Sequence, residues 1–128
     1  MTTYLITGGA GFIGSNFVHY LRKAYPEDRI LVLDLLTYAG SLDNLPPAVG
    51  PDAGRIQFWH GDVRNASLVD SLVEQSDVVV HFAAETHVTR SIYDNYHFFE
   101  TDVLGTQVVA NSVVRHIANV ERFIHVST

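Results

Sequence analysis

Residues 4–15 read YLITGGAGFIGS, and this stretch decides the fold. A short apolar run, typical of a buried parallel strand, stops at a turn that carries Gly8, Gly11 and Gly14, and an apolar helical pattern follows the turn. Glycines let a tight turn bring its backbone close to a phosphate, and the helix N-terminus offers free N–H groups there. The spacing G-x-x-G-x-x-G between a strand and a helix therefore predicts a phosphate-binding turn.

Strand and helix patterns alternate along the rest of the chain. This alternation predicts right-handed parallel crossovers with helices on both faces, an α/β fold of the Rossmann-type, doubly wound class with strand order 3-2-1-4-5. In the first helix, Ile13, Phe17 and Leu21 recur every four residues, so we expect them to face the core. The predicted strands cover residues 4–7, 30–33, 55–59, 77–82 and 122–126, further helices cover 67–75 and about 99–118, and 37–54 is a loop with one helical turn.

Asp34 indicates which dinucleotide the turn would take. It ends the second strand 20 residues after Gly14, where a carboxylate accepts hydrogen bonds from the ribose hydroxyls of the adenosine. The same carboxylate repels a 2′-phosphate, and the next residues, Leu35 and Leu36, do not compensate that repulsion, so NAD is favoured over NADP. A bare structural turn is the competing interpretation. The predicted cofactor contacts of this region are Gly8, Gly11, Phe12, Ile13, Gly14 and Asp34.

Composition excludes several other classes. The 128 residues carry a net charge of −6, without a cluster of Lys or Arg that would bind nucleic acid. No cysteine is present, so thiolate metal sites and disulfides are excluded. Since no signal peptide and no membrane-length apolar run is visible, we expect a cytoplasmic protein without a membrane partner. His60, His81, His87 and His125 fall near predicted strand ends but lack metal-ligand spacing, so no metal site is expected.

Three further stretches narrow the assignment, namely DLLTYAG at 34–40, HFAAETHVTRSI at 81–92 and HVST at 125–128. With the glycine turn, they resemble the extended short-chain dehydrogenase/reductase family, and within it the dTDP-glucose 4,6-dehydratases. The resemblance implies an NAD-dependent lyase that oxidises a nucleotide-sugar at C4, eliminates water across C5 and C6, and reduces C6.

The resemblance also assigns roles to individual residues. Thr128 would be the catalytic hydroxyl, hydrogen-bonded to the C4 oxygen of the sugar. The remaining contacts would be Asp62 and Val63 to adenine, Phe82, Ala83 and Ala84 to the pyrophosphate and nicotinamide ribose, and Thr86, His87 and Arg90 to the nucleotide-sugar substrate.

The chain departs from that family in several ways. Thr89 stands where the family commonly has Asp, and Asp102 where it has Asn. The family's Tyr-x-x-x-Lys pair is missing, because the sole lysine, Lys23, has His19 four residues before it. We therefore expect residues 1–128 to be an NAD-binding domain, truncated relative to the family, that is inactive alone. A nucleotide-sugar epimerase and a non-catalytic NAD-binding module are the alternatives.

The helix predicted at about 99–118 is apolar on more than one stripe. One stripe should cover the sheet, and a second suggests a homodimer surface, as in the resembling family. Aromatic residues Tyr93, Tyr96, Phe98 and Phe99 precede or begin this helix, and packing at its start is the favoured interpretation.

Overall fold

A five-stranded parallel sheet forms the centre of the computed structural model, which describes residues 1–36, 40–47, 52–83 and 95–127. The spatial order β3-β2-β1-β4-β5 confirms the predicted order 3-2-1-4-5. Each strand lies within one or two residues of its predicted position. The strands are β1 (Thr3–Thr7), β2 (Arg29–Asp34), β3 (Ile56–His60), β4 (Val78–His81) and β5 (Arg122–His125).

The connecting helices differ from prediction mainly in the last crossover. The expected single helix at about 99–118 is wrong in form, since a π-helical segment interrupts the helical run and ends at Gly105. Gly105 lies so close to Val63 that a Cβ there would be 2.6 Å from Val63 Cγ2. The helices are α1 (Phe12–Ala24), α2 (Ala66–Glu74), α3 (Asn95–Phe98), the π segment (Phe99–Gly105) and α4 (Thr106–Arg115), with a 3₁₀ turn at Leu42–Asn44. Within the described ranges, no helix is long and apolar enough to cross a membrane.

The strands bury side chains on both faces of the sheet. Successive residues such as Leu5 and Ile6 point to opposite faces and join two separate cores. The first core packs β-strand residues against α2 and α4, through Val69, Leu72, Val73 and Val109. The second packs the other face against α1, through Val18 and Leu21. Helices on both faces are the doubly wound arrangement that the sequence predicts.

The buried face of α1 is not the one that the four-residue spacing suggests. Leu21 is buried and Phe17 half-buried, but Ile13 is 63% exposed, so this expectation was wrong for Ile13. The buried stripe instead runs through Gly14, Val18 and Leu21. Gly14 packs closely against Gly8, so the face of α1 that carries Gly14 points inward. Ile13 therefore lies outside the core.

A polar cluster ties the two helices of the other face together. Asp70 on α2 accepts hydrogen bonds from Ser112 Oγ (2.9 Å) and Arg115 Nε (3.0 Å), and His116 Nε2 lies 3.1 Å from the same oxygen. His116, Ser112 and Arg115 lower the pKa of Asp70 to about 2. The cluster therefore holds α2 against α4 at the protein surface.

The strand register aligns polar residues along the carboxyl edge of the sheet. Thr7 of β1 pairs with His81 of β4, and His81 pairs with His125 of β5. On the other side, Asp34 of β2 pairs with His60 of β3. In doubly wound sheets ligands bind at this edge, so the fold places the candidate site there.

Candidate functional site

The glycine turn packs against the end of β4. Gly8 has a φ of +71°, and a Cβ on it would lie 2.7 Å from the backbone nitrogen of Ala83. A Cβ on Gly14 would overlap the carbonyl oxygen of Gly8. Real Cβ atoms do not approach backbone so closely. Gly8 and Gly14 are therefore required by the packing of the protein itself.

The steric surroundings of Gly11 differ from those of Gly8 and Gly14. Its φ of −75° is open to any residue, and the nearest atom to a Cβ at this position would be the Gly8 carbonyl oxygen at 3.4 Å, an ordinary contact. Neither backbone strain nor the described neighbours demand glycine here. What Gly11 provides is open backbone at the start of α1, which is what an approaching phosphate needs.

The N-terminus of α1 begins at this open glycine. Gly11 is the N-cap and has no side chain to bond the first N–H groups, although its carbonyl accepts from Ser15 N at 2.9 Å. The side chains of Phe12 and Ile13 are 80% and 63% exposed beside it. An anion at this end would therefore meet backbone donors and the positive end of the helix dipole.

Asp34 lies at the end of β2 and bonds the turn directly. Its Oδ2 accepts from Ala10 N at 2.9 Å, and its Oδ1 accepts from Leu36 N at 2.8 Å. Leu36 has a φ of +57°, uncommon for leucine, and the Asp34 side chain stabilises that bend. Asp34 can hold the turn and still bind a ribose, since each carboxylate oxygen can accept a second hydrogen bond.

Two residues after β2 contact the turn in a way that the sequence does not indicate. Ser41 N and Asn44 Nδ2 both donate to the carbonyl oxygen of Ala10, at 3.1 and 2.8 Å. The sequence places them in a loop with one helical turn, which the 3₁₀ turn at Leu42–Asn44 confirms. Their contact with a residue more than 30 positions away leaves no mark in local periodicity.

Asp62 and Val63 follow β3 at the same edge of the sheet. Asp62 accepts from Arg64 N (2.9 Å), Nε (3.0 Å) and Nη2 (2.7 Å), and Arg64 also pairs with Glu100. Burial acts to raise the pKa of Asp62, but the hydrogen bonds and charge of Arg64 outweigh it and hold the pKa below its usual value. The Val63 side chain is buried in the first core, so only its backbone could contact a ligand.

Phe82 and Ala83 lie beside the glycine turn. Phe82 N donates to the Thr7 carbonyl at 2.9 Å, and its ring packs on Phe17 at a centroid distance of 5.6 Å. Ala83 N donates to Thr7 Oγ1 at 3.4 Å. The structure therefore brings the predicted contacts Gly8, Phe82 and Ala83 together.

His81 lies beneath the turn in a buried hydrogen-bond chain. Its Nδ1 is 2.6 Å from Thr7 Oγ1 and its Nε2 is 3.0 Å from Thr106 Oγ1. Burial, with a smaller contribution from His125 at a ring distance of 5.5 Å, lowers the pKa of His81 to about 4. His81 is therefore neutral at pH 7 and serves as a structural polar link between β1, β4 and α4.

The histidines do not form a metal centre in the described part of the chain, where no group of three or more His, Asp or Glu side chains could hold a metal ion. His60 Nε2 donates to the Leu35 carbonyl at 3.0 Å instead. The predicted residues Ala84, Thr86, His87, Arg90 and Thr128 lie outside the described residues.

Comparison with known proteins gives the family context of this geometry. Residues 5–128 match the family described as GDP-mannose 4,6 dehydratase. A dTDP-glucose 4,6-dehydratase from Streptomyces antibioticus is 51% identical over 129 aligned residues, which cover 97% of this chain and 36% of that protein. The chain thus spans little more than a third of the length of this curated relative.

Solved structures show the same likeness. A dTDP-glucose 4,6-dehydratase from Streptomyces venezuelae, crystallised with NAD bound, superposes with a TM-score of 0.85 and 46% identity over 96% of this chain and 38% of that one. A UDP-glucose 4-epimerase from Thermotoga maritima, solved with UDP-glucose, gives a TM-score of 0.83 and 26% identity over 98% of this chain and 38% of that one.

Proposed function

The chain belongs to the GDP-mannose 4,6 dehydratase family, and from that premise we propose that it is the NAD-binding portion of a nucleotide-sugar 4,6-dehydratase. The observation that carries the proposal is Gly11, the glycine of the turn that packing against the described residues does not require. A side chain is excluded there for the sake of a ligand, and the open helix N-terminus behind it favours a diphosphate.

The residues at this edge suit NAD. The turn and the first residues of α1, Phe12 and Ile13, would hold the diphosphate, and Asp34 would accept from the adenosine ribose. Adenine would lie near Asp62 and the backbone of Val63. NAD, when bound, supplies hydride acceptance and return at its nicotinamide ring.

The proposed substrate is dTDP-glucose, as in the relatives that share about half of the residues of this chain. The whole protein would oxidise the sugar at C4, eliminate water across C5 and C6, and reduce C6. Thr86, His87 and Arg90 are the proposed substrate contacts, and Thr128 is the proposed hydroxyl at the C4 oxygen. A 4-epimerase is the second candidate, because the epimerase fold superposes almost as well.

We further propose that the chain forms a homodimer through the helical region between residues 95 and 117, which holds α3, the π segment, α4 and the start of the turn after it. Several of its exposed residues are apolar, and an apolar patch on a protein surface marks a candidate contact surface. Relative exposures are 65% for Tyr96, 52% for Phe99, 51% for Val103, 66% for Val114 and 71% for Ile117. The aromatic residues Tyr96 and Phe99, which were expected to pack at the start of the helix, are mostly exposed.

Calorimetric titration of the 128-residue chain with NAD and, separately, NADP tests the cofactor proposal. We expect saturable binding of NAD and weaker binding of NADP, because Asp34 repels a 2′-phosphate. A folded chain that binds neither dinucleotide would refute the proposal. Equal affinity for the two would retain the diphosphate site and refute the role of Asp34 in cofactor choice.

A further inference from the structure

Three hydrogen bonds converge on Ala10, at the apex of the glycine turn. Its N–H donates to Asp34, and its carbonyl oxygen accepts from Ser41 N at 3.1 Å and from Asn44 Nδ2 at 2.8 Å. Ala10 is completely buried, so these partners replace water. Asn44 supplies the only side-chain donor of the three bonds.

Asn44 is itself held in place from two sides. Its 3₁₀ turn is capped by Ser41 Oγ, which accepts from Asp43 N at 3.2 Å. The backbone carbonyl of Asn44 accepts from His19 Nε2 on α1 at 2.9 Å. The side-chain amide of Asn44 therefore reaches Ala10 from a fixed backbone position, although the residue lies at the protein surface.

The bond acts on one particular peptide unit. The Ala10 carbonyl and the Gly11 N–H belong to the same planar group, so they rotate together. Gly11 N donates to the Gly8 carbonyl at 3.2 Å, while the Ala10 oxygen at the other end is held by Ser41 and Asn44. Fixing this plane sets the direction of the backbone where α1 begins.

We propose that Asn44 is a positioning residue for diphosphate binding, which holds the Ala10–Gly11 peptide in the orientation that the ligand meets. This rests on the proposed function, since the diphosphate belongs to NAD. Loss of the Asn44 amide removes one hydrogen bond to the buried Ala10 oxygen but leaves Ser41 in place. The turn stays formed, but its peptide plane is then held only by Ser41 N and by the Gly11 N–H bond to Gly8.

Two variants of the full 128-residue chain test this. Asn44→Ala removes the amide, and the exchange Asp43→Asn with Asn44→Asp replaces the donor by a carboxylate that repels the Ala10 oxygen, while net charge stays constant. Asp43→Asn alone is the matched control, since it leaves the Asn44 amide intact. Binding is measured by calorimetry with NAD and with AMP, which lacks the diphosphate, and folding by thermal unfolding.

We expect Asn44→Ala to bind NAD about five-fold more weakly, because NAD must then order the Ala10–Gly11 peptide on binding, and we expect the exchange variant to bind at least as weakly. AMP affinity should stay at the wild-type value, the unfolding midpoint of Asn44→Ala should fall only slightly because Ser41 still bonds the Ala10 oxygen, and Asp43→Asn should behave as wild type. Unchanged NAD affinity in Asn44→Ala would overturn the inference while leaving the proposed function intact. Equal losses for NAD and AMP with a lower midpoint would make Asn44 merely structural, and a wild-type chain that fails to bind NAD would overturn both.

Discussion

The carboxylate of Asp34 lies 2.9 Å from the backbone nitrogen of Ala10, so the end of β2 and the apex of the glycine turn are joined by a charged hydrogen bond. The contact spans 24 residues of sequence and fixes the turn before any ligand arrives. Asp34 also accepts from Leu36 N, which stabilises a leucine with positive φ. One side chain thus shapes the turn and presents a carboxylate at the proposed ribose position.

Replacing Asp34 should therefore affect both stability and cofactor choice. Asp34→Ala leaves the buried Ala10 N–H without its acceptor, which should lower the free energy of unfolding by about 1–3 kcal/mol. NAD should bind more weakly, and the preference for NAD over NADP should shrink because the repulsive charge is gone. Denaturant unfolding and calorimetry with both dinucleotides measure these effects.

Asp43→Ala is the matched control, since it removes the same charge from an exposed position in the nearby 3₁₀ turn. It should leave stability and the NAD/NADP ratio near wild type. An Asp34→Ala chain with an unchanged ratio would show that Asp34 shapes the turn without selecting the cofactor.

Substitution should distinguish the glycine that the fold requires, Gly14, from the glycine that the ligand requires, Gly11. Gly14→Ala places a Cβ against the Gly8 carbonyl and should destabilise the fold by about 1–3 kcal/mol. Gly11→Ala meets only an ordinary contact among the described residues and should unfold close to the wild-type midpoint. If a diphosphate lies against Gly11, a clash of about 1–3 kcal/mol corresponds to a rise of about five- to two-hundred-fold in the Kd for NAD.

Thermal unfolding and NAD titration of both variants make this comparison. A stable Gly11→Ala chain with wild-type NAD affinity would place the diphosphate elsewhere. A Gly11→Ala chain that is as unstable as Gly14→Ala would show that the fold, and not a ligand, requires this glycine.

Local signals in the sequence predicted the strands and the glycine turn, because both depend on short-range chemistry, and the strand order followed from the doubly wound class that the alternation of strands and helices indicates. Apolar runs of strand length and glycines at strand-to-helix turns leave periodic marks. The face of α1 was predicted less well, because Gly14 carries no hydrophobic signal. Its close approach to Gly8 nevertheless rotates the helix and exposes Ile13.

The polar contacts that shape the site could not be predicted in the same way. Asn44 bonds Ala10 from 34 residues away, and His81 joins Thr7 and Thr106 from separate elements. Such pairs depend on strand register and on the path of a loop. Neither of these leaves a periodic pattern in the sequence. Asp34 could be predicted as a candidate, because the dinucleotide-binding motif fixes the spacing of an acidic residue from the glycine turn.

Stability should depend on pH through His81. In the native state burial keeps its pKa at about 4, whereas an unfolded histidine titrates near 6.5. Between these values the unfolded chain binds a proton that the native chain refuses, so the stability present at pH 7 is lost as pH falls from about 6.5 to about 4. The loss attributable to this one group is about 3 kcal/mol.

Denaturant unfolding at several pH values from 7 down to 4.5 measures this slope. His81→Gln should be less stable at pH 7, since it disturbs the links to Thr7 and Thr106, but its stability should change less with pH. His60→Gln, at an exposed position, serves as the control and should keep the wild-type slope. Asp52, Asp62 and Asp70, whose pKa values are lowered, lose their contribution only below about pH 3.8, outside this window. An unchanged slope in His81→Gln would assign the pH dependence to another group.

The exposed apolar face of the helical region between residues 95 and 117 should control self-association. At micromolar concentration we expect the sedimenting species of the wild-type protein to have the mass of a dimer, twice the 14.2 kDa of one chain. Val114→Glu introduces a charge on this face, and burying it in an interface without a partner is costly, so the dimer should dissociate at least about ten-fold more readily. Tyr20→Glu is the control, because Tyr20 is a similarly exposed side chain on α1, which packs on the opposite face of the sheet. Sedimentation velocity over a concentration series compares the three proteins. A wild-type chain that stays monomeric, or a Tyr20→Glu chain that dissociates as Val114→Glu does, would exclude this face as the dimer interface.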